Sequence, residues 1–94
     1  MVKFITFCEM TPDFLKLQLE ERQQQVQTWG RIASGYGIKI VFWGMPMGVS
    51  EDVVCVFDVN GNNEKYLTFQ REWLGLGTDD AGKYIKNTRS IIVY

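Results

Sequence analysis

Val53-Val54-Cys55-Val56-Phe57-Asp58-Val59 reads as a β-strand that is apolar on both sides. Side chains alternate along a strand, so Val53, Cys55, Phe57 and Val59 point one way while Val54, Val56 and Asp58 point the other. A strand with one wet face alternates apolar and polar residues, and this one does not. Two further segments share the property. Val2 to Glu9 (VKFITFCE) sets Val2, Phe4, Thr6 and Cys8 against Lys3, Ile5, Phe7 and Glu9, and Ile38 to Trp43 (IKIVFW) sets Ile38, Ile40 and Phe42 against Lys39, Val41 and Trp43. A sheet built from such strands needs cover on both faces.

Helices supply one cover. Thr11-Pro12-Asp13 has the chemistry of a helix start: Thr11 to cap, Pro12 for the first position, Asp13 against the positive dipole end. The spacing of Leu15, Leu19, Val26, Trp29 and Ala33 predicts one long helix from Pro12 to about Ser34, stopped by Gly35-Tyr36-Gly37. Glu20, Glu21, Arg22 and Gln23 to Gln25 form its wet side. Gly44-Met45-Pro46-Met47-Gly48 is an irregular extension or hairpin top, a lid or a contact surface, and Ser50-Glu51-Asp52 a polar break. Asn60-Gly61-Asn62-Asn63 is turn chemistry that caps a second helix, Glu64 to Leu74, with Tyr66, Leu67, Phe69, Trp73 and Leu74 inward and Gly75 or Gly77 at its end. Thr78 to Gly82 reads as an exposed loop, and Tyr84 to Tyr94 as a last strand, firmest over Ser90 to Tyr94.

The order strand, helix, strand, strand, helix, strand predicts a single α+β domain over residues 1–94. It is the ferredoxin-like βαββαβ arrangement, a four-stranded antiparallel sheet with two helices on one face. The face away from the helices would expose a large apolar patch, so a homodimer formed through that open face is expected. The alternative is a monomer whose Gly44 to Asp52 loop folds over it. At 94 residues the chain buries roughly 60–65% of its unfolded surface, and association would add to that.

Composition excludes several classes. With 46% hydrophobic and 22% charged residues the chain is not of disordered type. A net charge of −1 without like-charged blocks leaves no footprint for nucleic acid, and the Val53 to Asp58 strand lacks the basic residues of an RNA-binding sheet. The run Ile38 to Met47 is too short and too interrupted to span a membrane, and Met1-Val2-Lys3-Phe4 has no signal-peptide pattern. Cys8 and Cys55 read as two buried thiols, which with the rest predicts a cytoplasmic protein.

The predicted long helix Pro12 to Ser34, the Gly35-Tyr36-Gly37 turn into Ile38 to Trp43, and the terminal Ile91-Ile92-Val93-Tyr94 resemble the dimeric α+β barrel superfamily across essentially the whole chain. The resemblance implies face-to-face pairing of two sheets and a ligand held between the sheet and the helices of one subunit. Members include cofactor-free monooxygenases, isomerases, lactonases, haem-degrading and chlorite dismutase-like enzymes, and stress-responsive and uncharacterised proteins, so the fold implies a place for a pocket without a reaction. This chain has no histidine, which removes a histidine-ligated haem and a histidine general base; no cofactor is expected.

Candidate proton-handling residues are Asp58, Tyr36 and Glu9. Asp58 is the one charge inside an apolar strand, where burial would perturb it; the plainer alternative is a strand-end aspartate bonded to the Asn60-Gly61 turn. Trp29, Trp43, Tyr66 and Phe69 are candidates to line a ligand pocket, against the plainer alternative of core packing. Arg22, Arg31 and Arg71 read as solvated helix charges. No metal site is expected: Asp58, Asn60 and Asn62 have the oxygen spacing of a calcium loop, but Asn63 stands where glycine is needed and Phe69 where glutamate is needed. Gly35-Tyr36-Gly37 follows a helix and precedes a strand, the reverse of a nucleotide-binding turn. The expected function is homodimeric binding of a small, partly apolar molecule, with a cofactor-independent monooxygenase or isomerase and a regulatory ligand-binding module as alternatives.

Overall fold

The computed structural model describes residues 3–61, 63–76 and 79–94. Val2 of the expected first strand, Asn62 of the turn, and Gly77 and Thr78 beyond the second helix lie outside them. The elements are β1 (Lys3–Met10), α1 (Pro12–Leu15), α2 (Leu19–Ser34), β2 (Lys39–Gly44), β3 (Val53–Asp58), α3 (Asn63–Arg71) running into a π-helical turn (Glu72–Leu76), α4 (Asp79–Tyr84) and β4 (Ile85–Val93). The strands form one antiparallel sheet in the order β2-β3-β1-β4, so β1 and β3 are central and β2 and β4 are edges.

The face holding Phe4, Thr6, Cys8, Val53, Cys55 and Phe57 is covered by α2 and α3, and those side chains are buried. Phe57 sits at the middle of the contact. Its ring centroid lies 5.4 Å from Tyr66, 5.3 Å from Phe69 and 5.6 Å from Trp73, and Trp73 in turn stands 5.6 Å from Trp29 of α2. The β3 strand is thus joined to both helical layers through edge-to-face and tilted aromatic pairs, each adding about 0.5–1.5 kcal/mol beyond its buried area. Cys8 and Cys55 are free, fully buried thiols on the same face; the neighbouring Cys55 thiol and burial push the Cys8 pKa upward, which keeps it protonated and inert.

The structure departs from the expected elements in several places, each with a local cause. The long helix is two helices. Gln18 takes an extended conformation and starts α2, and its amide donates to the Glu21 carboxylate at 3.1 Å, half of a capping box. Carbonyls released by the break are taken up by Arg22, whose Nε donates to Leu17 O at 3.1 Å and whose Nη2 donates to Leu15 O at 2.8 Å, with the guanidinium over the Phe14 ring. Arg22 is therefore a half-buried clasp rather than a solvated charge. The break also turns Leu15 and Leu19 outward and buries Phe14 in their place. Thr11 does not cap α1 with its side chain; its hydroxyl donates to Lys83 O at 2.7 Å, tying β1 to α4.

On the second side, Leu67 is 65% exposed rather than inward, and the helix continues past Arg71 in the π-helical turn that keeps Trp73 in the core. Residues 79–82, expected as a loop, and Tyr84, expected to open the last strand, belong to the helix Asp79–Tyr84, and β4 starts at Ile85 with a register shift at Lys86 before running evenly from Asn87. The last difference reverses part of a strand. Ile40 pairs with Phe57 but Phe42 pairs with Val56, so Val41 is an extra residue in a β-bulge. Beyond it the alternation is inverted: Phe42 shares the open face with Val56, and Trp43, opposite Cys55, turns to the helix face.

Because Phe57 is fully buried against Tyr66, Phe69 and Trp73, the last of which carries the contact to Trp29 of α2, Phe57→Ala is expected to destabilise the fold by about 3–5 kcal/mol, measured as a lowered midpoint of urea unfolding with an unchanged slope.

Candidate functional site

Trp43 helps to form a surface feature that no residue of the chain announces alone. Where α2 crosses the edge strand β2, Gly30 takes the place of a side chain, and a Cβ there would meet only Ile40 Cδ1, at 3.9 Å. The gap opens into two adjoining clefts that share Gly30 and Ile40. One, about 350 Å³, is lined by Gln23, Val26, Gln27 and residues 40–43. The other, about 470 Å³, runs past Ser34, Gly37, Ile38 and Lys39. Apolar walls with a few polar groups, at these volumes, are the ordinary makeup of a small-molecule site.

Of the four aromatics considered for a pocket, Trp43 borders this cleft. Trp29, Tyr66 and Phe69 lie elsewhere, within the closed aromatic cluster over the sheet, each 0–1% exposed. Tyr66 is the polar member. Its hydroxyl meets Thr6 Oγ1 and lies 3.2 Å from Ser90 Oγ, which is itself 2.9 Å from Thr6 Oγ1 and accepts from Gln70 Nε2 at 3.4 Å. This hydroxyl cluster joins β1, β4 and α3 and satisfies Tyr66 inside the core. Burial raises the Tyr66 pKa, opposed by the hydrogen bonds from Ser90 and Thr6.

The three residues considered for proton transfer do not converge. Asp58 is half-buried at the end of β3 on the open face, and its Oδ1 accepts the Asn60 amide at 3.0 Å within the turn that places Asn60 at φ +53°. Glu9 forms an ion pair with Lys86 at 3.3 Å. Lys3 is opposite Asp58, so Glu9 is six residue steps along β1 from it, about 20 Å. Tyr36 is on the helix side against Phe69, with centroids 6.1 Å apart. Among the described residues no group of His, Cys, Asp or Glu is arranged to hold a metal ion.

The open face carries Ile5 and Phe7 of β1, Val54 and Val56 of β3, Phe42 of β2, and Ile91 and Val93 of β4. Phe42 is 59% exposed and Ile91 and Val93 are exposed as well. One charged device lies among them. Arg89 lies over the Phe7 ring at 4.3 Å and grips Glu51 with two hydrogen bonds, of 2.7 and 3.2 Å, holding the Glu51 carboxyl below its usual pKa.

No family model matches the chain and no curated protein matches it. Solved structures do. An uncharacterised NIPSNAP domain protein from Burkholderia xenovorans superposes with a TM-score of 0.60 at 12% identity, over 100% of this chain and 93% of that one. A putative chlorite dismutase superposes with a TM-score of 0.65 at 15% identity, over 98% of this chain and 42% of that one. Both are ferredoxin-like α+β folds. The fold of this chain is ferredoxin-like. At such identities the likeness extends to the fold and not to a reaction. No described helix is long and apolar enough to cross a membrane.

The raised Tyr66 pKa has a signed consequence. Tyrosine in the unfolded chain ionises near pH 10, so the stability Tyr66 contributes is complete below that pH and is lost as pH rises through its higher folded value. Alkaline titration followed by tyrosinate absorbance should show one tyrosine ionising late in the native protein, and that late component should be missing in Tyr66→Phe.

Proposed function

We propose that the protein is a homodimer, paired through the open sheet face, that binds a small, partly apolar molecule between helix and sheet edge. The observation that carries the binding reading is the double cleft between α2 and β2, where an absent side chain at Gly30 leaves apolar walls next to the amides of Gln23 and Gln27. Pairing is supported by the open face itself. Its valines, isoleucines and phenylalanines span all four strands, and an apolar surface of that extent is uncommon on a soluble monomer. A second sheet packed on it would be an isologous contact of the ordinary kind.

Binding is proposed rather than catalysis because Asp58 and Glu9 stand at different ends of the sheet, Tyr36 stands in the turn after α2, and none lines the cleft. A proton-transfer mechanism needs its acid or base within hydrogen-bond reach of one substrate position. The cytoplasmic setting remains part of the reading, supported by two free thiols in a chain of this size.

Two measurements test the proposal. Sedimentation equilibrium at micromolar concentration should return about twice the 10.9 kDa chain mass, and Val56→Asp, which puts a charge at the centre of the open face, should return a monomer that is still folded. A thermal-shift screen of small apolar molecules should yield compounds that raise the melting temperature of the wild type. Gly30→Leu fills the cleft from the α2 side and should abolish those shifts without unfolding the protein; shifts that survive it would place the binding elsewhere.

A further inference from the structure

Resting on the homodimer reading, we propose that two open faces meet about a two-fold axis running along the strands between β1 and β3, with Lys3 of each copy ion-paired to Asp58 of the other. In the order β2-β3-β1-β4 that line is the middle of the sheet. Lys3 and Asp58 stand opposite each other across it, both half-buried on the open face. Asp58 Oδ1 accepts the Asn60 amide, and neither side chain is in an ion pair among the described residues. The other charges of the face differ. Glu9 is paired with Lys86, and Glu51 with Arg89, within the chain. Lys39, exposed on the edge strand β2, keeps its ammonium in water at the rim. A second sheet laid over the face completes the burial of Lys3 and Asp58, and a charge enclosed in this way is strongly unfavourable unless it meets its opposite.

A two-fold axis makes the contact isologous, so whatever Lys3 meets must meet Lys3 in return. With the axis along the strands at the midline, β1 lies over the partner's β3 and β2 over the partner's β4. Lys3 then faces the partner's Asp58 and Asp58 faces the partner's Lys3, two ion pairs from one pair of residues. Facing sheets stand about 10 Å apart, a gap that a lysine and an aspartate side chain bridge together. The same alignment sets Val56 over the partner's Ile5 and Phe42 over the partner's Ile91, apolar on apolar. An axis across the strands does worse. It would stack β1 on β1 and β3 on β3, laying Lys3 over a Glu9 that Lys86 already holds. Asp58 would then lie over the end of β3 that Asp52 precedes, acid toward acid.

Two charge reversals, Lys3→Asp and Asp58→Lys, studied separately and as an equimolar mixture by sedimentation equilibrium, test the alignment. Alone, each variant sets like charges together twice in its dimer, and its dissociation constant should rise roughly tenfold over the wild type. Mixed, the two should form a heterodimer at close to wild-type affinity, because every facing pair is then of opposite sign. Recovery on mixing requires that the charges meet between chains, since the neighbours within each variant chain remain alike. Circular dichroism confirms that the variants are folded, and the wild type supplies a check that needs no substitution. Its dimer should weaken as salt rises from about 0.1 to 1 M, which a contact of apolar residues alone would not do. No recovery on mixing, or a wild-type dimer indifferent to salt, would overturn the pairing of Lys3 with Asp58 and leave the homodimer standing. Recovery when Lys3→Asp is mixed with Glu9→Lys instead would overturn it in favour of an axis across the strands. A wild type that stays monomeric removes the homodimer reading, and the inference falls with it.

Discussion

Phe57 is placed where three layers of the protein meet, and the rest of the structure is arranged around that contact. It projects from β3 against α3 and the π-helical turn, touching Tyr66, Phe69 and Trp73 with edges and tilted faces, while Trp73 carries the contact on to Trp29 of α2. Such rings fill volume with few rotatable bonds, so the helices are fixed in position as well as held down. The π-helical turn at Glu72–Leu76 follows from the same demand. It lets the chain past Arg71 keep the Trp73 ring stacked on Phe69, at 5.4 Å, beneath α2.

A packed aromatic interior has a cost in available space. The interior over the sheet is filled by large side chains, and open volume between helix and sheet appears at the margin, where β2 is an edge and α2 has a glycine. The position of the cleft is thus a by-product of how the core is filled. Trp43 reaches it because the Val41 bulge adds one residue to β2 and moves every later side chain to the opposite face.

Much of this was legible in the sequence, because the period of apolar residues is a strong local signal. The strands around Phe4, Ile40 and Phe57, the helix carrying Val26, Trp29 and Ala33, and the βαββαβ order all follow from it. What was not legible depends on single backbone events or on distant partners. Nothing in Lys16-Leu17-Gln18 marks a helix break until the Arg22 guanidinium is seen accepting the role of tying up the freed carbonyls, although Gln18 and Glu21 at capping-box spacing were an available hint. The bulge at Val41 leaves no mark in IKIVFW, where Phe42 and Trp43 are equally at home on either face. The Thr6–Tyr66–Ser90 cluster unites residues up to 84 positions apart, a pairing fixed only by strand register. Gly30, which opens the cleft, looks in the sequence like any tolerated glycine in a helix.

The two edges of the sheet are unequally defended. β2 is six residues long, starts on Lys39, and is interrupted by the Val41 bulge, so a foreign strand arriving there finds a broken ladder. β4 is irregular only at its start, where Lys86 is the extra residue opposite Glu9 and Met10, and it runs in unbroken register from Asn87 through Ile91-Ile92-Val93, with Lys86 and Arg89 as its charges. Growth of ordered aggregates by strand addition would therefore begin at β4 rather than at β2, and the Val41 bulge denies such a chain of molecules its second end. A kink that redirects two aromatic side chains also makes the sheet a poor template for its own polymerisation.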